Sequence, residues 1–130
     1  MNVLFVEDDP MNRRVVKDML DVAGVEMREA PEAETGLAMI GEQPFDIVLM
    51  DLRMPGMDGL TAIRLIRERT DEKAALPVIV VTADTAMDIR ERCLAAGADD
   101  VLLKPVAMEL LFESIGRTLA MKGGDEAVLD

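Results

Sequence analysis

Ile47-Val48-Leu49-Met50-Asp51-Leu52-Arg53-Met54-Pro55-Gly56 is the stretch on which the fold turns. Four consecutive apolar residues mark a strand covered on both faces, as in a parallel sheet, and the run ends at a carboxylate followed by turn residues. Asp51 is therefore expected at the carboxyl end of a central strand. In open α/β sheets that edge binds ligands, at the point where strand order reverses.

Working outward, residues 3–6 form a second apolar run, closed by Glu7-Asp8-Asp9-Pro10, and Pro10 suits the first turn of a helix. Val15, Val16, Met19, Leu20 and Ala23 recur there at helical spacing, and Gly24 supplies the stop. Residues 25–30 alternate apolar and polar, as an edge strand does. Pro31 is expected to open a second helix with Ala33, Leu37 and Ile40 inward, ahead of the central strand at 45–50. Past the Met54–Gly59 loop, a third helix should turn Leu60, Ile63 and Ile66 inward and Arg64, Arg67 and Arg69 outward. Residues 70–76 are a polar connector. Residues 78–81 are another buried strand, ended by Thr82-Ala83-Asp84, and Thr85 with Asp88 has the spacing of a capping box for a fourth helix stopped by Gly97. A fifth strand at 101–103 ends in Lys104-Pro105. The last helix draws on Leu111, Phe112, Ile115 and Leu119.

Five strands alternating with five helices require right-handed crossovers and helices on both faces of a parallel sheet. The mixed second strand belongs at an edge and the apolar first, third and fourth strands in the middle. A flavodoxin-like doubly wound (βα)5 fold with strand order 2-1-3-4-5 is predicted. Residues 1–121 form the domain, and 122–130 are expected to be a frayed polar tail.

Composition narrows the chemistry. The 130 residues carry 26 acidic against 14 basic side chains, a net charge of -12, which would repel nucleic acid and anionic membrane surfaces. A single cysteine excludes an internal disulfide, and with no leader or long apolar segment the chain is expected to be cytoplasmic. Cys93 is most simply a small core residue. Histidine is absent, which removes imidazole bases and most zinc sites.

In this topology Glu7, Asp8, Asp51, Thr82 and Lys104 all fall at the carboxyl ends of strands. Three crowded carboxylates need a divalent cation or a proton between them. An all-oxygen site with open positions suits Mg²⁺, which keeps several waters and binds through one or two carboxylates plus a phosphate. Lys104 and the Thr82 hydroxyl would neutralise phosphoryl oxygens, and an aspartate is itself a phosphoryl acceptor.

Over residues 2 to about 120 the sequence resembles the receiver domains of bacterial two-component response regulators. The resemblance rests on Glu7-Asp8, Met50-Asp51, Met54-Pro55-Gly56-Met57-Asp58-Gly59, Thr82-Ala83, Gly97-Ala98 and Lys104-Pro105. It implies a phosphoacceptor signalling protein in which Asp51 takes a phosphoryl group from a histidine kinase or histidine phosphotransfer protein and the modified state alters binding of a downstream protein. It also implies Mg²⁺ held by Asp8, Asp51 and the Arg53 carbonyl, with Glu7 acting through water, and a cis bond before Pro105. A single-domain regulator without an attached output domain is expected. A phosphate relay or sink is the alternative reading.

Residue by residue, Met11, Asn12 and Val15 on the first helix, with Pro105 in the loop after the fifth strand, are the candidate partner-facing residues. Arg53 and Asp84, each two residues past a strand-end group, are candidates for tuning the lifetime of the phosphorylated state. Receivers usually carry Tyr or Phe three residues before the lysine; Val101 stands there and offers no ring to rotate. An aspartate-nucleophile phosphatase of the haloacid dehalogenase type would want a second carboxylate where Arg53 stands. A flavodoxin-like cofactor module would want a phosphate-cradling loop where Glu7-Asp8-Asp9 stands.

Overall fold

The computed structural model describes residues 1–122. In chain order the elements are β1 Asn2–Val6, α1 Pro10–Val22, β2 Glu26–Ala30, α2 Ala33–Glu42, β3 Ile47–Met50, α3 Gly59–Arg67, a 3₁₀ turn Glu72–Ala75, β4 Val78–Thr82, α4 Ile89–Ala96, β5 Asp100–Leu103 and α5 Met108–Lys122. All strand pairs are parallel and the sheet order is β2-β1-β3-β4-β5, as the apolar patterning requires.

Alternation along the buried strands divides the core in two. Leu4, Val6, Val48, Met50, Val78 and Val80 face α2, α3 and α4, whose Ile40, Ala62, Ile63, Ile66, Ile89 and Cys93 cover them. Val3, Phe5, Ile47, Leu49, Ile79 and Val81 face Val16 and Leu20 of α1 and Leu111 and Ile115 of α5. Each fully buried Leu or Ile on these faces contributes about 1.5–3 kcal/mol. The helices are thus split two and three across the sheet. Both edge strands are half-wet, β2 with only Ala30 buried and β5 with only Asp100.

Several local expectations are corrected. Pro31 precedes α2, which starts at Ala33 behind an extended Glu32 that makes no side-chain cap. The central strand begins at Ile47, leaving Phe45 to pack against the core from the loop. The 70–76 connector contains a 3₁₀ turn capped by Asp71, which accepts from the Lys73 N–H. Thr85 and Asp88 do not form a capping box: Asp84 accepts from the Ala86 N–H at 2.9 Å, and α4 starts at Ile89 with no side-chain cap from Asp88. Gly97 does end α4, at φ 116°, where a β-carbon would also strike the Arg67 side chain.

Arg67 is not an outward-facing residue. Its guanidinium donates to the carbonyl oxygens of Gly97, Ala74 and Leu76 at 2.7–2.9 Å and pairs with Asp99 at 3.0 Å. Three backbone carbonyls from separate stretches of chain are thus bound by one planar cation. Arg69 lies beyond the end of α3 and pairs with Asp71. Lys122, read as the start of the tail, is the last residue of α5; the rest of the tail, 123–130, lies outside the described residues.

Candidate functional site

Four strands end together at the carboxyl edge of the sheet, on the sheet's central side. β1 delivers Glu7 and Asp8, β3 delivers Asp51, β4 ends in Thr82, and Lys104 follows β5. With Asp9, Asn12, Arg53 and Ala83 these residues line a pocket of about 280 Å³. Glu7, Asp51 and Thr82 are buried to within 5% of full burial, whereas Asp8 is exposed at the mouth.

Asp51 is held from two sides. Its own Oδ1 accepts from the Leu52 N–H at 2.9 Å, and the Lys104 Nζ lies 3.4 Å from that oxygen. Behind it, Gly59 opens α3 so close to β3 that any β-carbon there would collide with the Asp51 carbonyl and stand 2.9 Å from the Leu52 Cα. Only glycine permits that approach. Asp58 then caps α3, accepting from the Thr61 N–H at 2.9 Å, and this bond holds its carboxyl below the usual aspartate range.

Lys104 is the pivot of the charge arrangement. Its Nζ donates to Glu7 Oε1 at 2.6 Å and faces Asp51, so one ammonium serves two nearly buried carboxylates. Burial opposes its charge, but the Glu7 bond and the field of Asp51 outweigh burial and raise its pKa. Asp8, though exposed at the mouth, is raised above the ordinary aspartate value by partial desolvation, by its hydrogen bond with Glu7 and by the Glu7 charge. The peptide between Lys104 and Pro105 is cis, as expected.

Carboxylate oxygens of Glu7, Asp8 and Asp51 all lie within 4.8 Å of one another. Three carboxylates against one ammonium leave local negative charge, and the donor set is entirely oxygen. That chemistry fits a hard divalent cation with several waters.

Thr82 Oγ1 accepts from the Asp84 N–H at 3.0 Å, leaving the hydroxyl proton to donate elsewhere. Arg53 and Asp84 do meet, at 3.2 Å, but Asp84 lies outside the pocket lining. Ala86 N–H, then burial and Arg53, set the Asp84 carboxyl, with the net effect downward. Asn12, Val15 and Pro105 are brought together with Phe5, Val16, Val81, Lys104 and Val106 around a small apolar cavity of about 110 Å³. Met11 stands outside it, 68% exposed, and Val15 is 43% exposed, so neither is ordinary helix packing. Val101 is half-buried and packs toward α4 and the core on that face.

One polar centre was not anticipated from the sequence. Asp100, at the start of β5 and only 4% exposed, accepts from the Ser114 hydroxyl of α5, from Arg90 of α4 at 2.9 Å and from Arg117 of α5 at 2.8 Å. Burial alone would raise its carboxyl, but Ser114, the Val101 N–H and the two arginines hold it at about 2. The Asp99-Asp100 doublet was the available signal, since paired acids at a strand start need partners. Arg13 was likewise missed: it donates to the Glu7 carbonyl at 2.7 Å and pairs with Glu29, fixing the end of β1.

Comparisons with known proteins agree with this geometry. Residues 3–116 match the family model described as the response regulator receiver domain. The chain is 36% identical over 115 residues to sensor histidine kinase RcsC of Salmonella typhimurium, and 31% identical over 131 residues to sensor histidine kinase GacS of Pseudomonas protegens. Those alignments cover 88% and 96% of this chain but only 12% and 14% of the kinases. Among solved structures, the receiver domain of a sensor histidine kinase from Pseudomonas aeruginosa, with magnesium coordinated in its active-site cleft, is 33% identical with TM-score 0.83, covering 92% of this chain and 97% of that one. A CheY-like receiver domain protein from Methanospirillum hungatei is 28% identical with TM-score 0.85, covering 95% and 97%. With its strand-end acids, hydroxyl and lysine gathered on one CheY-like sheet, the chain belongs to the response regulator receiver domain family.

Proposed function

We propose that Asp51 is the phosphoacceptor of this receiver domain. The observation that carries the reading is the buried Asp51 carboxylate with the Lys104 ammonium 3.4 Å from its Oδ1, beside a Thr82 hydroxyl with its proton to donate. Phosphoryl transfer asks a protein for positioning and charge more than for covalent chemistry, and these groups supply both. An Asp51 carboxylate oxygen forms the new O–P bond as the P–N bond of a phosphohistidine breaks; the electron pair stays on the imidazole nitrogen, which gains a proton from solvent. Lys104 neutralises one phosphoryl oxygen and Thr82 donates to another. A water that later attacks the phosphorus returns phosphate and the free carboxylate.

Mg²⁺ fits the acidic cluster and would be held by Asp8, Asp51 and the Arg53 carbonyl, with Glu7 reached through water. Bound there, it offsets the carboxylate repulsion and draws charge from the phosphoryl oxygens. The donor is a histidine kinase or histidine phosphotransfer protein, docked over Met11, Asn12, Val15 and Pro105 beside the mouth. The phosphorylated form acts by binding a downstream protein, and both partners meet the chain in the cytoplasm.

Incubation with Mg²⁺ and a small acyl phosphate tests the assignment. One phosphoryl group should appear by intact mass, and Asp51→Asn should abolish it. Stoichiometric labelling of that variant would overturn it. Mass must be the readout, because the chain has no Trp or Tyr.

A further inference from the structure

Between α3 and α4, beside the phosphoacceptor pocket, lies an open groove of about 520 Å³. Leu52, Leu60 and Ala95 contribute apolar surface, Arg53, Arg64 and Arg92 line it with cations, and Asp58 and Asp84 complete it. Three arginines in one groove are out of keeping with a chain of net charge -12. Most basic side chains here are spoken for by a close carboxylate, as in Arg13–Glu29, Arg67–Asp99 and Arg117–Asp100. The groove is different. Among the described residues Arg64 has no carboxylate within 4.0 Å, and Arg92 reaches only Asp88, at 4.0 Å with half its side chain exposed. Arg53 spends one donor on Asp84 and is 81% exposed.

The two aspartates offset part of this charge without bonding Arg64 or Arg92. Asp58 accepts from the Thr61 N–H and hydroxyl to cap α3, and Asp84 accepts from the Ala86 N–H and Arg53. Each guanidinium carries five N–H donors in a planar fork, so most of the groove's donor capacity is turned to solvent. We infer that the α3–α4 groove docks an acidic segment of a protein partner, with one apolar side chain seated over Leu52, Leu60 and Ala95 and flanking carboxylates received by Arg64 and Arg92. Charge complementarity chooses this occupant. Over most of the surface the net negative charge repels such a segment, which favours the groove where Arg64 and Arg92 stand side by side with unspent donors. The surface is separate from the Met11, Val15 and Pro105 face, and the inference does not depend on which residue is phosphorylated.

Fluorescence anisotropy with a fluorescein-labelled pentapeptide of four glutamates around a central leucine tests it. Binding should be measurable at low salt with a dissociation constant under about 1 mM and should weaken as salt rises. The double variant Arg64→Glu with Arg92→Glu should lose at least about tenfold in affinity, while Arg28→Glu, which reverses an arginine of edge strand β2 that lies outside the groove, should leave it unchanged. Thermal unfolding of each variant shows that the fold is retained. Equal losses in the two variants would mean diffuse attraction and would overturn the docking site. So would undetectable binding to the folded wild type, or inorganic triphosphate binding the same arginines more tightly than the peptide, which would make the groove a small-anion site.

Discussion

Asp100→Asn keeps the shape of the side chain and removes its charge from the centre that joins α4, β5 and α5. The folded carboxyl sits at about 2 against an ordinary 3.8, and at about 1.4 kcal/mol per pKa unit that gap is worth at most about 2–3 kcal/mol. Arg90 and Arg117 are more than half exposed, so solvent screens part of it and about 1–2 kcal/mol is expected. For a domain of this size the variant should melt about 4–8 °C lower at pH 7. The sign in pH follows from the lowered pKa: the contribution is complete above the unfolded value near 3.8 and disappears as pH falls toward about 2. Urea unfolding of both proteins at pH 7, 5, 4 and 3 is the assay. Wild type should lead by its full margin at pH 7 and 5, and by pH 3 the lead should have shrunk to about half. A margin that stays constant down to pH 3, or one under about 0.5 kcal/mol at pH 7, would refute the charge-based account.

Arg53 of the pocket lining bonds Asp84 at 3.2 Å, so if the pair hinders water Arg53→Ala and Asp84→Ala should each speed aspartyl phosphate decay several-fold with stability changed by no more than about 1 kcal/mol; unchanged decay in both rejects a barrier to water. Met11→Glu and Val15→Glu should slow transfer from the cognate donor protein while labelling by acyl phosphate persists, and a parallel loss of both activities would indicate a damaged fold instead. Amide shifts induced by a phosphoryl mimic should centre on residues 82–88 and the start of α4; Thr82→Ala should erase them and Val101→Ala should not, since a valine has neither the reach nor the polar tip of the usual aromatic residue. Equal erasure by both would place the switch at β5.

Strand ends carried most of what could be foreseen. Residues 47–50, 3–6 and 78–81 are apolar because both faces are covered, and that pattern alone orders the sheet and aligns Glu7, Asp51, Thr82 and Lys104 on one edge. What stayed hidden depends on tertiary partners that no periodicity reports. Arg67 was placed outward by helical spacing, yet the carbonyls that claim it belong to residues 74, 76 and 97, which only folding assembles. Thr85 and Asp88 have capping-box spacing, but Asp84 takes the local N–H first and moves the helix start to Ile89. Asp100 belongs to the same class, its three partners lying on two different helices.

The contact between Gly59 and the Asp51 carbonyl also apportions motion within the molecule. Where two backbones touch without an intervening side chain there is no slack, so β3 and the head of α3 form a single stationary block. Across the pocket the opposite holds: residues 83–88 are largely exposed, and α4 begins without a side-chain cap. A phosphoryl group on Asp51, as proposed, would therefore work against a fixed wall on one side and a yielding one on the other. On the proposed phosphorylation of Asp51, a missing β-carbon would direct the change toward α4 and away from α3, and a residue larger than glycine at position 59 would cost Asp51 its footing before it altered any charge.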